Sequence, residues 1–383
     1  MPHRIAVLGC GLVGATMVRD LAVDEDYDVI AVDADAARLE QITTARRIQR
    51  RVSDLSDQNE IRALAEDADV ICGALPSKLG FEALRTIAAT GTSFADISFM
   101  IEDARAADDI AKKSGATIVY DCGVAPGLAN MCIGHAAARF EVLEDVVYYV
   151  GGLPYERRWP YEYTAPFAPS DVIEEYVRPA RMIENGTVVT KPALSEPELL
   201  EFERIGTLEG FNTDGLRSLL DTVPAKCMRE KTLRYPGHCE LMRVLRATGF
   251  FDDAPMQLRN QTVRPLDLTS KLLFDQWRLR PGQRDFTVLR VVATGTRQGQ
   301  RSTATYELFD EADAESGEQS MARTTAYPCT IVARLIAQGA FKQPGVHPPE
   351  TLGRDEAIFQ TMLAQLMERG VQLTMSETGV QNQ

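Results

Sequence analysis

The chain has 383 residues, 45 % of them hydrophobic and 25 % charged, and its 41 basic and 55 acidic residues give a net charge of −14. That is an ordinary globular balance with room for two domains, and an acidic chain with no cluster of Lys and Arg among aromatics excludes nucleic acid as a partner. Apolar runs break well before the ~18 residues of a membrane span, and MPHRIAVLG enters a strand without a signal peptide's apolar core, so no membrane partner and a cytoplasmic location are expected.

The first stretch, Arg4 to Asp33, lays down a cofactor site. Ile5 to Leu8 is an apolar run that predicts a buried strand, and Gly9, Gly11 and Gly14 follow with G-x-G-x-x-G spacing. Gly9 permits the tight turn, Gly11 allows close approach of a pyrophosphate, and Gly14 lets the next helix pack on the strand, its N-terminus (Leu12, Val13) facing negative charge. A second strand, Val29 to Val32, ends in Asp33, 19 residues beyond Gly14. A carboxylate there pairs with ribose hydroxyls and repels a 2′-phosphate, and no Arg follows at once; Arg38 comes five residues later. The expected cofactor is NAD, with NADP less favoured.

The alternation continues with helices Ala36 to Arg46, Gln58 to Ala68, Phe81 to Ala89 and Glu102 to Ser114. Between them fall strands Ile48 to Val52, Val70 to Leu75, Ser93 to Ile97 and Thr117 to Tyr120. This predicts a Rossmann doubly wound parallel sheet of six strands, whose ligands lie beyond the strands' carboxyl ends. The loops there add Asp54, Leu55, Leu75, Pro76, Ile97 and Ser98 to the cofactor residues, and Lys78 and Asp121 to the chemistry.

Beyond Pro126-Gly127 the pattern turns to hairpins and strands, predicting a second α+β domain with a mixed or antiparallel sheet. A strand is expected at Val146 to Gly152, a hairpin at Arg178 to Pro192 about Asn185-Gly186, and paired strands at Phe286 to Gly295 and Arg301 to Phe309. Helices are expected at Ser170 to Tyr176, Thr213 to Asp221, Pro236 to Thr248 and Asp267 to Trp277. Asp310 to Ser320 predicts an acidic loop, Thr325 to Gln338 a helix that packs back on the first domain, and the residues from Thr374 on a fraying end. The domains expected are 1–125, completed by about 322–383, and 126–321, with the active site between them. Seven cysteines without a C-x-x-C pair and only four histidines give neither a metal site nor a disulfide framework.

Several stretches carry a family likeness: GCGLVG with Asp33, DCGVAPGLANM (121–131), VGGLP (150–154), the run from Asp171 to Gly186, FNTDGLRSLL (211–220), KTLRYPGHCELMRVLRATGFF (231–251) and ARTTAYPCTIVARLIAQGA (322–340). The chain resembles the saccharopine dehydrogenase-like oxidoreductases, and among them the short NAD-linked lysine 6-dehydrogenases. The resemblance implies oxidation at an amine-bearing carbon, with a second domain that supplies substrate contacts and a subunit interface. Asp121-Cys122 before GVAPG and His238 in RYPGH depart from the longer NADP-linked saccharopine reductases and move the substrate away from saccharopine.

An ammonium with a solution pKa of about 10.4 must lose a proton before hydride can leave its carbon. Asp121 is placed to orient that ammonium and take the proton, or else to cap the following turn. Lys78 is an acid or base, an anion ligand, or a solvated lysine, and His238 a proton carrier or a structural residue at a helix start. Arg217 or Arg243 offers a two-pronged donor to an α-carboxylate, with Tyr163 and Asn212 as polar contacts. His135 and Cys122 are packing residues, and the aromatics of ERRWPYEYTAPF line a pocket or an interface. The expected reaction is NAD-dependent oxidative deamination of the lysine side-chain amine to the 6-semialdehyde, which cyclises, and ammonia, by a homodimer or higher oligomer. Oxidation of saccharopine or a related carboxyalkyl-amine, and a non-catalytic NAD-binding protein, are the alternatives.

Overall fold

The computed structural model describes residues 2–165, 169–280 and 282–379. In chain order it begins with β1 (His3–Leu8), α1 (Leu12–Leu21), β2 (Tyr27–Asp33), α2 (Ala36–Gln41), β3 (Gln49–Val52), α3 (Gln58–Glu66), β4 (Val70–Gly73), α4 (Ser77–Thr90) and β5 (Ser93–Asp96). A 3-10 turn, Ala104–Ala107, leads into α5 (Asp108–Ser114), β6 (Thr117–Val119) and α6 (Leu128–Arg139). Then come β7 (Val142–Pro154), α7 (Pro169–Val177), β8 (Ala180–Glu184), β9 (Thr187–Lys191), β10 (Glu198–Phe202), β11 (Gly206–Asn212), α8 (Leu219–Thr222), β12 (Cys227–Arg234) and α9 (His238–Thr248). The chain closes with β13 (Met256–Leu258), β14 (Gln261–Val263), α10 (Pro265–Trp277), β15 (Asp285–Arg297), β16 (Gln300–Glu311), α11 (Ser320–Ala337), β17 (Gly345–His347), α12 (Pro349–Gly353), α13 (Glu356–Glu368) and β18 (Leu373–Gly379).

Two compact units emerge, Met1–His135 with Ala322–Gln372, and Ala136–Met321 with Leu373–Gln383. In the first, the sheet order is β17-β6-β5-β4-β1-β2-β3, with every pair parallel. This is the doubly wound order, in which the strand order reverses at β1 and a crevice opens at the carboxyl ends. The apolar runs of β1, β2 and β4 are buried on both faces, as a parallel sheet requires, and pack with Ile61, Leu84, Ile87 and Phe94 in one core. Helix starts are locally encoded: the Asp57 carboxylate accepts from Asn59 N–H at α3, and Asp355 from Ala357 and Ile358 N–H at α13.

The first unit differs from the sequence reading in its limits. A seventh strand, β17, extends the sheet beyond β6, and α11 returns with it: Arg334 Nη1 lies 2.7 Å from Asp20 Oδ2, and Thr330 Oγ1 donates to the same oxygen at 2.5 Å. The unit runs to residue 135 and resumes at 322, so the first boundary falls ten residues later than expected. Helix α2 stops at Gln41, because Arg50 Nη2 takes the Ile42 carbonyl at 2.7 Å.

The second unit is built on a mixed sheet in the order β10-β11-β12-β7-β15-β16-β18, with β8 joined to β12 and β9 to β8. Only β12 and β7 pair in parallel. The β8–β9 hairpin turns at Asn185 and Gly186, both with positive φ, which is the turn that Asn-Gly encodes. One face carries Val147, Leu153, Leu208, Leu233 and Phe286, while Tyr176, Phe211, Met242, Leu273 and Trp277 form a separate core with the helices.

Three expectations fail here. The end from Thr374 does not fray: β18 pairs antiparallel with β16 from Leu373↔Leu308 to Gly379↔Ser302, so backbone bonds order a polar segment that has little apolar surface of its own; residues 380–383 lie outside the described ones. The acidic loop is shorter, since Asp310 and Glu311 are paired in β16 and Asp313 closes the remainder by accepting from Glu315 N–H and Ser316 N–H. The helix expected from Thr213 is reduced to α8, because Thr213 and Gly215 are tied to Glu230 and Asp214 to Arg181. Part of ERRWPYEYTAPF, residues 166 and 167, lies outside the described residues.

Candidate functional site

The glycine turn joins β1 to α1 as its spacing requires. Gly9 has φ +86, and a Cβ there would meet the Ala74 carbonyl at 2.5 Å. A Cβ on Gly14 would overlap the Gly9 carbonyl, so the helix sits directly on the turn, whereas the space beside Gly11 is open. No side chain caps α1, which leaves the first N–H groups, at Leu12 and Val13, directed out of the helix end. Asp33 closes the site. Its buried carboxylate accepts from Cys10 N–H at 2.7 Å and from Asp35 N–H at 2.8 Å, which fixes its orientation. Arg38, half exposed on α2, brings Nη1 to 3.8 Å from Asp33 Oδ2, a nearness that its position five residues later did not convey. These residues fit a dinucleotide: a cradle too tight for a side chain, open room before a helix N-terminus, and an oriented acid.

The other expected cofactor residues divide. Leu75 N–H donates to Ser98 Oγ at 3.3 Å, and Ser98 Oγ donates to Asp96 Oδ1 at 2.8 Å, so Leu75, Pro76, Ile97 and Ser98 form one hydrogen-bonded edge at the ends of β4 and β5. Leu55 turns its side chain into the core, and Asp54 is exposed with its carboxylate on Ser56 N–H and Oγ, which holds it below the usual carboxylate range.

Two acids stand at the carboxyl ends of β5 and β6. Asp96 is fully buried, and burial raises its carboxyl to about 7; the Ser98 hydroxyl opposes the shift and the nearby Asp121 charge adds to it. Asp96 Oδ2 has no hydrogen-bond partner among the described residues. Asp121 is buried too and holds a left-handed backbone, φ 53, outside any helix. The sequence reading took the neighbouring Ile97 and Ser98 but missed the acid; a carboxylate closing an apolar strand was the available signal. Lys78 is exposed in the first turn of α4. His135 is packed, stacked on Phe359 at 4.1 Å with Nε2 3.0 Å from Glu356.

In the second unit the residues of FNTDG and EKTLRYPGH converge, though not in the expected roles. On β12, Glu230, Thr232 and Arg234 alternate onto one face and all are buried. Glu230 accepts from Thr213 Oγ1 and from Gly215 N–H at 3.1 Å, and burial pushes its carboxyl up to about 8. Arg234 lies 4.3 Å over the Tyr163 ring and donates to Glu175 at 2.7 Å. Burial works against its charge, but Tyr163, Tyr176 and Glu175 outweigh that and raise its pKa. Sequence reasoning missed Arg234 and Glu230 because the charges of a strand say nothing of burial by themselves.

His238 is a correction. Its Nδ1 is 2.8 Å from the Tyr161 carbonyl, which only accepts, so Nδ1 carries the proton and Nε2 accepts from the Tyr176 hydroxyl at 3.0 Å. Burial and Arg234 lower its pKa to about 3. It is a neutral structural residue with both nitrogens engaged, and proton transfer is not among its uses here. Arg243 is exposed on α9 and paired with Glu240 at 3.3 Å. Tyr163 is buried under Arg234, and Asn212 donates to Ser195 Oγ at 3.1 Å and Glu196 Oε2 at 3.0 Å, so both brace the cluster. Arg217 is partly buried with φ 52, just before α8.

Residues 5–119 match the model of the saccharopine dehydrogenase NADP binding domain, and residues 123–371 that of the saccharopine dehydrogenase C-terminal domain. The chain belongs to the saccharopine dehydrogenase family. Among its relatives, carboxyaminopropylagmatine dehydrogenase of Synechocystis sp. is 22 % identical over 397 residues, covering 96 % of each chain. Carboxynorspermidine synthase of Vibrio cholerae is 22 % identical over 387 residues, covering 92 % of each. Apo saccharopine dehydrogenase (L-Glu forming) from Saccharomyces cerevisiae has the same fold, with a TM-score of 0.82 at 18 % identity over 98 % of this chain and 100 % of that one. This member of the saccharopine dehydrogenase family is therefore an oxidoreductase with a pyridine-nucleotide-binding Rossmann unit and a mixed-sheet second unit. No helix among the described residues is long and apolar enough to cross a membrane. None of their His, Cys, Asp and Glu residues form a group of three able to hold a metal.

Proposed function

We propose that the chain oxidises the side-chain amine of L-lysine to the 6-semialdehyde and ammonia, with NAD favoured and NADP tolerated through Arg38. The observation that carries this reading is the buried acid pair, Asp96 and Asp121, on the edge that also bears the glycine turn. A cationic amine needs a group that accepts its proton near neutral pH, and Asp96 is held at about 7. The substrate ammonium gives its proton to this acid pair; the freed lone pair then forms the C=N bond as hydride leaves carbon. Bound NAD supplies the hydride acceptor. Water adds to the resulting iminium carbon, and ammonia departs as the carbonyl forms.

A second reading, a carboxyl-bearing secondary amine as substrate, is favoured by the names of the relatives: carboxyaminopropylagmatine, carboxynorspermidine and, in the yeast enzyme 20 % identical over 425 residues, saccharopine. Absorbance of the reduced cofactor decides between them when pure protein is mixed with NAD or NADP and either lysine or saccharopine. Turnover of lysine supports the first reading, and much faster turnover of saccharopine replaces it with the second. Silence with both, in a protein that still binds NADH, favours a non-catalytic binder. Asp121→Asn keeps the shape and removes the charge, so lysine turnover is expected to fall at least tenfold near neutral pH.

A further inference from the structure

Asp121 holds a backbone that its neighbours must impose. Its φ of 53 lies in the left-handed region, which a residue with a Cβ keeps only where the surroundings over-determine it. On the N-terminal side the support is β17, which pairs with β6 from Gly345↔Thr117 to His347↔Val119. Tyr120 N–H, immediately before Asp121, donates to the His347 carbonyl at 3.4 Å. On the C-terminal side Cys122 N–H donates to the Asp96 carbonyl at 2.8 Å, and the chain then folds on itself, with Leu128 N–H on the Gly123 carbonyl at 2.8 Å and Ala129 N–H on that of Val124 at 3.0 Å. Gly127 closes the turn with φ 138, where a Cβ would overlap the Gly123 carbonyl. Its N–H donates to a side chain, Asn130 Oδ1, at 3.1 Å, and Asn130 Nδ2 donates in turn to Glu350 Oε2 at 3.3 Å, 220 residues along the chain.

Asn130 and Glu350 are both fully buried, and the helix that carries Glu350 has no room to slide. A Cβ on Gly134 would overlap the Glu350 carbonyl, and one on Gly353 the Met131 carbonyl, so α12 and the first turns of α6 meet backbone to backbone at two points. A carboxyl taken out of water is costly unless it is hydrogen-bonded, and this one bonds the amide that closes the Asp121 turn. We infer that Glu350 is a positioning residue for Asp121, acting through Asn130 on the turn that follows the acid. The segment 345–353 then brackets Asp121: β17 fixes the strand before it, and Glu350 fixes the turn after it. The inference rests on the amine oxidation proposed above, in which Asp121 is one member of the acid pair that takes the substrate proton. Misplacing a reacting group by about 1 Å costs on the order of a hundredfold in rate, so the role of Glu350 is read in kcat and not in the binding of lysine or cofactor.

The test reverses the direction of one hydrogen bond. In Asn130→Asp the Gly127 N–H keeps its acceptor, but a second carboxyl now faces Glu350; in Asn130→Asp/Glu350→Gln the glutamine amide donates to the aspartate, one carboxyl remains, and the bonds are complete again. Turnover is followed by absorbance of the reduced cofactor, with the full chain, NAD and lysine. The single variant is expected to lose at least about tenfold in kcat, with KM for lysine and Kd for NADH within about twofold of the wild type, and the double variant to recover kcat to within about threefold. Hydrogen exchange reads the turn without a substrate. Amides of 122–129 are expected to exchange at least about tenfold faster in Asn130→Asp, with those of β1 and β4 unchanged, and to slow again in the double variant. If the wild type turns over saccharopine and not lysine, the same comparison is made with saccharopine; if it turns over neither, the amine-oxidation reading fails by itself and exchange decides the positioning. Should Asn130→Asp not fold, the wild type supplies the measurement: Gly127 N–H is expected to exchange as slowly as the amides of β6. Unchanged kcat or exchange in the folded single variant, a loss carried by KM, no recovery in the double variant, or fast exchange at Gly127 in the wild type overturns the inference.

Discussion

Removing the charge of Asp33 separates two tasks that one carboxylate performs at the end of β2. In Asp33→Asn the side chain keeps its shape, but its one carbonyl oxygen accepts from only one of the two backbone donors, Cys10 N–H at 2.7 Å and Asp35 N–H at 2.8 Å. The other donor then faces an amide N–H. A hydrogen bond to a charged group contributes about 1.5–3 kcal/mol, so turn and ribose recognition together lose about 2 kcal/mol of NAD binding, roughly thirtyfold in Kd. For NADP a second effect opposes the loss. A phosphate charge ~5 Å from a carboxylate is repelled by about 3 kcal/mol at an effective dielectric of 20, and exposure reduces this to about 1–2 kcal/mol. NADP binding is therefore expected to change by less than about fivefold, and the preference for NAD to shrink about tenfold. Arg38→Ala works in the opposite direction. Its guanidinium, 3.8 Å from Asp33, offsets that charge, so its loss is expected to weaken NADPH about fivefold and leave NADH within about twofold. Fluorescence titration with NADH and NADPH reads all four constants and needs no substrate. If each variant shifts both cofactors by the same factor, Asp33 and Arg38 do not read the ribose, and the argument fails.

Gly14→Ala places a Cβ against the Gly9 carbonyl, which is backbone and cannot swing aside; a loss of about 1–3 kcal/mol in melting experiments and at least tenfold weaker NADH binding are expected. Asp96 has a folded pKa raised to about 7, so the folded state holds a proton that the unfolded state releases near pH 4, and its contribution to stability falls as pH rises between the two. Relative to the wild type, Asp96→Asn is therefore expected to gain stability from pH 5 to pH 8, by about 2.5 kcal/mol; a pH-independent difference in urea midpoints would refute this. For His238 the sign reverses: its folded pKa is lowered to about 3, so its contribution is complete above about 6.5 and is lost as pH falls below that. His238→Gln is expected to be about 1–3 kcal/mol less stable at pH 8, with the deficit shrinking toward pH 5, and to leave the pH dependence of turnover unchanged.

The cofactor turn was legible in the sequence because everything it needs lies within one β-α-β unit. The strand, the glycines and Asp33 are fixed by local geometry, and so is the Asn185-Gly186 hairpin, whose two positive φ values belong to those residue types. The alternation from α2 to β6 likewise placed the strand ends, and with them the loops holding Asp96 and Asp121.

What those residues can do was decided only by tertiary structure. His238 could be a proton carrier or a structural residue by sequence, and the Tyr161 carbonyl and the Tyr176 hydroxyl, 77 and 62 residues away, decide for the second by closing on its two nitrogens. The charges of β12 say nothing of burial by themselves, but Arg234 is buried under Tyr163 and Glu230 beside Thr213, partners contributed by distant segments. The polar end from Leu373 has no apolar periodicity to announce a strand, and it is ordered by the free edge of β16, 65 or more residues earlier in the chain. Strand ends, turns and helix starts follow from a few consecutive residues through their dihedral preferences. Desolvation, pKa and the pairing of a strand edge depend on which distant segments arrive beside a group, and that is set by packing.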